Sequence, residues 1–154
     1  MELARPAADA DRALCAGLVG DALAQAGSMR GGPALVGKAT PEELVSRWAD
    51  ETRQGAHAGL FVGEFDGAVV GVLGVVVADA EEQRRGRIEC CYVEAAARGV
   101  GVGTSLMEAA VDWCAAAGCA EVDALALPGD RSTKQRLEAA GFTARLLTLS
   151  RRLG

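Results

Sequence analysis

The sequence predicts an α+β domain with a mixed, mostly antiparallel central sheet. Two observations support this prediction. Residues 59–65 and 68–78 are strand-like runs joined by Asp66-Gly67, a dipeptide typical of a tight β-hairpin. A later strand-like run, residues 87–93, leads through closely spaced glycines into a helical pattern. Together the segments give about six or seven strands and about four helices on both faces of the sheet, in one domain spanning residues 1–154.

Apolar periodicity and turn signals define the elements. The predicted strands are residues 1–5, 34–36, 59–65, 68–78, 87–93, 121–127 and 143–152. The predicted helices are residues 9–26, 40–53, 102–117 and 131–140. Thr40-Pro41-Glu42-Glu43 has the capping-box pattern, and Asp130 can cap the last helix. Residues 68–78 are almost continuously apolar, so we expect this strand at the centre of the sheet, covered on both faces.

The composition of the chain argues against several classes of function. The 154 residues, half of them apolar, carry a net charge of −5, which argues against nucleic acid as the main partner. No apolar run approaches the ~20 residues that span a bilayer, and no export signal is visible, so we expect a cytoplasmic protein with no membrane partner. The five cysteines include no Cys-x-x-Cys pair, and His57 is the single histidine. The chain therefore offers few residues of the types that a metal site or a conventional nucleophile triad requires.

The most specific feature is the glycine-rich segment before the third helix. Gly99, Gly101 and Gly103 occupy alternate positions there. Glycine adopts positive φ and lets the backbone approach a ligand, and the helix N-terminus adds unpaired amides. This combination predicts an anion site, with phosphate as the usual occupant. No Lys-Ser/Thr follows the glycines, and the hairpin contradicts repeated βαβ units, so neither a phosphate loop nor a dinucleotide-binding fold is predicted.

These residues resemble a known family. Tyr92-Val93 and the run from Arg98 to Thr104, Arg-Gly-Val-Gly-Val-Gly-Thr, resemble the acetyl-CoA signature of the GNAT superfamily of acetyl-CoA-dependent N-acetyltransferases. Gly141-Phe142 after the last helix is also similar to that family. The resemblance implies that an acetyl group passes from acetyl-CoA (coenzyme A) directly to a primary amine of a small molecule, peptide or protein. It is compatible with a monomer or a homodimer.

The resemblance also implies roles for individual residues. Glu89 would be the base that deprotonates the incoming ammonium, and a backbone amide near Cys91 would stabilise the oxyanion. Val93 and its neighbours would pair with the pantetheine arm, and main-chain amides from Arg98 to Thr104 would hold the diphosphate. The residues assigned to the cofactor are Tyr92, Val93, Arg98, Gly99, Val100, Gly101, Val102, Gly103 and Thr104.

Strand alternation predicts which of these side chains share a face. The side chains of Arg87, Glu89, Cys91 and Val93 should point to one face, and those of Ile88, Cys90 and Tyr92 to the other.

Two positions depart from the family pattern. Leu137 occupies the place where family members often have a tyrosine that acts as general acid, and Asp130 the place where asparagine is common. Ser132, Thr133 and water remain candidate proton donors. A non-catalytic acyl-CoA-binding sensor, or an interaction module on the same fold, is therefore the alternative function. Cys91 as an acylated nucleophile would need a lowered pKa, and no base is evident near it.

Overall fold

The computed structural model describes residues 2–50, 57–79 and 82–154, and within them the predicted α+β class is confirmed. The strands are β1 (Glu2–Pro6), β2 (Ala58–Phe65), β3 (Ala68–Asp79), β4 (Arg84–Val93) and β5 (Glu121–Ala124). The α-helices are α1 (Arg12–Gly27), α2 (Gly32–Val36), α3 (Pro41–Asp50), α4 (Val102–Ala116) and α5 (Arg131–Ala139). None of the helices in these ranges is long and apolar enough to cross a membrane.

The sheet has the strand order β1-β2-β3-β4-β5. Strands β1 to β4 pair antiparallel with their neighbours, and β5 pairs parallel with β4. The apolar strand β3 is thus central, as predicted. Helix α4 packs on one face of the sheet, and α1 and α3 pack on the other. We call these the α4 face and the α1–α3 face.

Local signals that were read from the sequence form as expected. Asp66 and Gly67 both have positive φ, 49° and 80°, which suits a tight hairpin between β2 and β3. At the start of α3, the Glu43 amide donates to Thr40 Oγ1 at 3.1 Å and the Thr40 amide donates to Glu43 Oε2 at 3.2 Å, which completes the capping box. The Thr133 amide donates to Asp130 Oδ1 at 3.1 Å, so Asp130 caps α5.

The predicted count of six or seven strands was wrong for the described residues, which form five. Residues 34–36 belong to α2, because Pro33 favours the first turn of a helix and Gly31, at φ 80°, provides the bend before it. This short helix also raises the helix count from about four to five. The strand predicted over residues 121–127 ends at Ala124, and the end of the helix predicted over residues 40–53 lies outside the described residues.

Residues 143–152 form no strand either. Alternation is a local pattern, whereas a strand forms only where another strand offers its backbone groups. In this segment the leucines lie in solvent instead of on a sheet face. The exposed leucines after Phe142 are Leu146, Leu147, Leu149 and Leu153, at 82–91%.

Gly74 of β3 lies directly against Trp48 on the α1–α3 face. A Cβ at this position would lie 2.3–2.5 Å from ring atoms of Trp48, which is 1% exposed. We expect Gly74→Ala to lower the free energy of unfolding by about 1–3 kcal/mol, because the indole would have to move. Urea unfolding followed by circular dichroism measures this change. Gly129→Ala, where a Cβ meets nothing within 4 Å, is the control, and equal midpoints for the two variants would contradict the prediction.

Candidate active site

The central strand pair contains a β-bulge at Glu89. Gly74 of β3 pairs with Cys90, but the next residue, Val75, pairs with Ile88. Glu89 is therefore the extra residue on β4. A bulge interrupts the alternation of side chains, because two successive residues of one strand oppose a single position on the other.

The bulge overturns the predicted distribution of side chains on β4. Ile88, Cys91 and Val93 pack with the core on the α4 face, whereas Cys90 and Tyr92 pack with the core on the α1–α3 face. Glu89 joins the second group, because its carboxylate accepts a hydrogen bond from Trp48 Nε1 of α3 at 2.9 Å. The prediction that Glu89 shares a face with Cys91 was thus wrong, and the prediction that Cys90 and Tyr92 share a face is confirmed.

Strands β4 and β5 part halfway along β4. Their pairing ends at Ile88 and Ala124, while β4 continues to Val93. The Glu94 amide donates to Val70 O of β3 at 2.9 Å. Main-chain groups alternate along an antiparallel pair, so those of Cys91 and Val93 point away from β3, toward the opening left by β5. The separation therefore exposes an amide at Cys91 and the edge of β4 to a ligand.

A cavity of about 390 Å³ lies at this opening. Of the predicted site residues, Glu89, Cys91, Tyr92, Val93 and Arg98 line it. Its other walls come from α1, α2, α3 and α5, so it reaches both faces of the sheet. The predicted residues from Gly99 to Thr104 do not line the cavity. They form the turn beyond Arg98 and the first turn of α4.

The glycine segment has the backbone geometry expected of an anion site. Gly99 and Gly101 have φ of 83° and 97°, a region that favours glycine, while Gly103 is helical. Gly101 is the N-cap of α4, and none of the described side chains caps it. The first helical bond runs from the Ser105 amide to Gly101 O at 3.0 Å, so the preceding amides of α4 have no acceptor within the helix.

Of the amides predicted to bind an anion, that of Arg98 has an acceptor within the protein. The Arg98 amide is directed at Ala95 O at 3.4 Å, within the turn that precedes the glycines. Val102 is buried, with its side chain close to the backbone of Gly63 and Gly71, so only its main chain faces outward. The unpaired amides at the start of the helix belong to Val102, Gly103 and Thr104.

The Arg98 side chain contacts the strand instead of the glycines. Its Nε donates to Val93 O at 2.9 Å, and its guanidinium lies 5.4 Å from the centroid of the Tyr92 ring. A second donor, Nη2, reaches Gln25 Oε1 of α1 at 3.1 Å. Arg98 thus joins the end of β4 to α1. Its hydrogen bond uses the Val93 carbonyl oxygen, so the Val93 amide is the main-chain group left to pair with an extended ligand.

The Glu89 carboxylate accepts two hydrogen bonds and has a further cation beside it. Its Oε1 accepts from Trp48 Nε1 and from Arg47 Nη2, and its Oε2 lies 3.6 Å from Arg87 Nη2. The side chain is 20% exposed and borders the cavity. Sequence patterns did not reveal Arg47 and Trp48 as site residues, because they reach Glu89 from positions more than 40 residues away in the chain.

The cysteines of β4 are poor nucleophiles. Burial, together with smaller contributions from the neighbouring Cys91 and Glu89, raises the pKa of Cys90 to about 12. Burial also raises the pKa of Cys91, although Arg136 opposes this change. Both thiols are therefore protonated at neutral pH, and the thiolate is the reactive form.

We expect no acetyl thioester on Cys91 when the protein is incubated with acetyl-CoA at neutral pH, because its raised pKa leaves little thiolate. Mass spectrometry of the intact protein, with and without hydroxylamine, tests this expectation. A hydroxylamine-sensitive acetyl group on Cys91 would contradict it. Protein acetylated chemically in urea, where the cysteines are accessible, is the positive control.

Comparison with known proteins agrees with this geometry. The model of the acetyltransferase (GNAT) family matches residues 33–142, well over half of the chain. The protein therefore belongs to the GNAT acetyltransferase family. The comparison with curated proteins found no match.

Solved structures show the same fold at low sequence identity. A predicted acetyltransferase with acetyl-CoA from Clostridium acetobutylicum is 16% identical with a TM-score of 0.72, covering 97% of this chain and 96% of that one. Glucosamine-6-phosphate N-acetyltransferase from Arabidopsis thaliana is 21% identical with a TM-score of 0.68, covering 100% and 99%. A transcriptional regulator from Bacillus halodurans is 20% identical with a TM-score of 0.72, covering 99% and 100%.

Proposed function

We propose that this protein is a single-domain N-acetyltransferase that moves an acetyl group from acetyl-CoA directly to a primary amine. The observation that carries the proposal is the uncapped N-terminus of α4, which follows Gly99 and Gly101 in the left-handed conformation. This helix N-terminus follows β4 after one turn of the chain, and the second half of β4 has an edge that β5 leaves unpaired. An anion site next to an unpaired strand edge suits a ligand with a diphosphate and an extended amide-containing arm.

The residues present fit coenzyme A. Unpaired amides of Val102, Gly103 and Thr104 would hold the diphosphate together with the helix dipole. The edge of β4 at Cys91 and Val93 would pair with the pantetheine arm as an added strand. The bound molecule supplies an acetyl group activated as a thioester.

Two groups of this chain would then serve the transfer. The Cys91 amide, which faces the opening, would donate to the oxyanion that develops on the acetyl carbonyl. Glu89 would accept a proton from the incoming ammonium, because Oε2 is beyond hydrogen-bond length from Arg87 and has room for another donor. Since Glu89 and Cys91 lie on opposite faces of β4, the amine would approach from the α1–α3 face.

The α1–α3 side of the cavity would receive the acceptor. Its walls there are largely apolar and come from α1, α2 and the segment after α2. Lys38, Arg47 and Arg98 are the cations on this side among the described residues that line the cavity. We propose a small-molecule or peptide amine with an apolar portion next to the amino group as the acceptor class.

A binding assay followed by a transfer assay tests the proposal. Isothermal titration calorimetry with acetyl-CoA and coenzyme A should show binding, with ADP as a weaker ligand that shares the diphosphate. Release of free thiol from acetyl-CoA should then depend on an added amine, drawn from a panel of amino acids, polyamines, aminosugars and peptides. If the protein bound neither acetyl-CoA nor coenzyme A, the proposed function would be contradicted.

A non-catalytic acyl-CoA sensor is the second candidate. Leu137 is 7% exposed and packs in the core of the α4 face, so its position provides no hydroxyl group to a leaving thiol. Binding of acetyl-CoA without release of thiol across the amine panel would favour the sensor. Amine-dependent release with any panel member would exclude it.

A further inference from the structure

Arg136 of α5 lies inside the site, although no sequence pattern singles it out. Its side chain lies over the first turn of α4, where a Cβ on Gly103 would be 3.1 Å from Nε and 3.2 Å from Cδ and Cζ. A Cβ at position 103 would require the Arg136 side chain to shift by a few tenths of an ångström. The Arg136 side chain thus lies against α4, and Arg136 is among the residues that line the cavity at the opening between β4 and β5.

The guanidinium of Arg136 reaches the reacting end of the site. It lies close enough to the Cys91 side chain for its positive charge to oppose the rise in the pKa of that thiol, and Cys91 is the residue whose amide faces the opening. No carboxylate of the described residues forms an ion pair with Arg136, whereas Arg5, Arg12, Arg47, Arg84, Arg85 and Arg87 all have acidic partners. Arg136 is therefore a half-buried cation without a matching anion beside the expected position of the thioester.

Among the candidate proton donors, Ser132 lines the cavity from an exposed position, and the neighbouring positions are less suited to the role. Leu137 has no polar atom, and the Thr133 hydroxyl already donates to Asp130 Oδ2 at 2.6 Å. A thiol has a pKa near ~8.5, so a sulfur leaving group needs a nearby positive charge more than it needs a proton at neutral pH. A guanidinium supplies that charge permanently, because it does not lose its proton under these conditions.

We propose that Arg136 pairs with the thiolate of coenzyme A, so that the sulfur leaves as an anion without general-acid catalysis. This inference depends on the proposed acetyl transfer. In that reaction the amine nitrogen forms a bond to the acetyl carbon, the carbon–sulfur bond breaks and its electron pair remains on sulfur. The proton lost by the amine passes to Glu89 or water, and the guanidinium balances the charge of the thiolate.

The other charged groups of the cavity lie mostly toward the α1–α3 face. The titratable and charged residues that line it are Lys38, Arg47, Glu89, Cys90, Cys91, Tyr92, Arg98, Asp130 and Arg136. Among them, Cys91 is a group whose pKa the charge of Arg136 affects. A shift in the acidity of the coenzyme A thiol that is lost when Arg136 is replaced is assigned to Arg136.

Comparison of coenzyme A with desulfo-coenzyme A tests the inference without catalysis. The two ligands share the diphosphate and pantetheine but differ in the sulfur. Affinity of the wild-type protein for coenzyme A should rise relative to desulfo-coenzyme A as the pH increases from neutrality to about 9. Ultraviolet absorbance of the bound thiolate should show that the thiol ionises at lower pH than it does in water.

The variants Arg136→Gln and Arg136→Lys separate charge from packing. In Arg136→Gln the acid dissociation constant of the thiol in bound coenzyme A should fall at least about tenfold. The reason is that the thiolate loses a neighbouring positive charge. Affinity for desulfo-coenzyme A should change little, and kcat should fall more than KM rises. Arg136→Lys should restore part of the thiol acidity. Lys134→Gln, which removes a positive charge from an exposed position of α5, is the matched control.

Several results would overturn the inference. If Arg136→Gln weakened coenzyme A and desulfo-coenzyme A equally, Arg136 would act on the diphosphate or on the loop instead of the sulfur. An unchanged thiol acidity in Arg136→Gln would also overturn it. Absence of coenzyme A binding to the wild-type protein is a different outcome, because it contradicts the proposed function itself.

Discussion

Replacing Gly101 with valine is expected to weaken the binding of acetyl-CoA at least about tenfold, because the change acts on the backbone that presents the amides of α4. Gly101 is the N-cap of that helix and has a φ of 97°. A β-branched residue is strained in this conformation, at a cost of about 1–3 kcal/mol. The loop should relax by rotating the N-cap, which would redirect the amides of Val102 and Gly103. Isothermal titration calorimetry with acetyl-CoA measures the loss.

The control for this variant is Gly118→Val. Gly118 follows the other end of α4 at a φ of 84°, and a Cβ there meets nothing within 4 Å. Both substitutions place valine in a left-handed conformation, so both should lower thermal stability, but only the first should affect the affinity for acetyl-CoA. Equal affinities in Gly101→Val and the wild type would show that the glycine turn does not form the cofactor site.

Glu89→Gln is expected to lower kcat/KM about 10²–10⁴-fold at neutral pH, because the site would lose its proton acceptor. An alkyl amine with a pKa near ~10.4 is almost wholly protonated there. In the variant only the small fraction of free amine reacts, so its activity should rise about tenfold per pH unit below the amine pKa. The wild type should depend less steeply on pH. Steady-state thiol release with the best amine of the panel, measured across the pH range, tests both expectations.

Glu94→Gln provides the matched control for Glu89. Glu94 is also a carboxylate near β4, but it is exposed in the connection after the strand and does not line the cavity. Acetyl-CoA affinity should be retained in both variants, since neither removes an amide of α4. An unchanged rate and pH profile in Glu89→Gln would eliminate its role as base and leave a structural role in holding Arg47 and Trp48.

Local sequence signals predicted the parts of the fold that depend on neighbouring residues. The Asp66-Gly67 hairpin, the capping box at Thr40 and the cap at Asp130 each involve groups within a few positions of one another, and each forms. The left-handed conformations of Gly99 and Gly101 likewise follow from residue type. The strand predicted over residues 143–152 failed because pairing requires a distant partner, which a local pattern cannot supply.

The arrangement of the site depended on contacts that sequence spacing does not encode. The bulge at Glu89 arises from the register between β3 and β4, so simple alternation assigned Glu89 to the wrong face relative to Cys91. Arg136 became part of the site because its side chain, which comes from α5, lies against Gly103 of α4. The residues proposed to hold the cofactor diphosphate are contiguous in the chain, so a local pattern can point to them. Those proposed to act on the acceptor and the leaving group come from separate elements.

The most direct test of the central claim is a crystal structure of the protein with coenzyme A. We predict that diphosphate oxygens lie within hydrogen-bond distance of the amide nitrogens of Val102, Gly103 and Thr104, and that the pantetheine arm runs along the open edge of β4 beside Cys91. A diphosphate bound elsewhere, with these amides facing only solvent or protein atoms, would contradict the account.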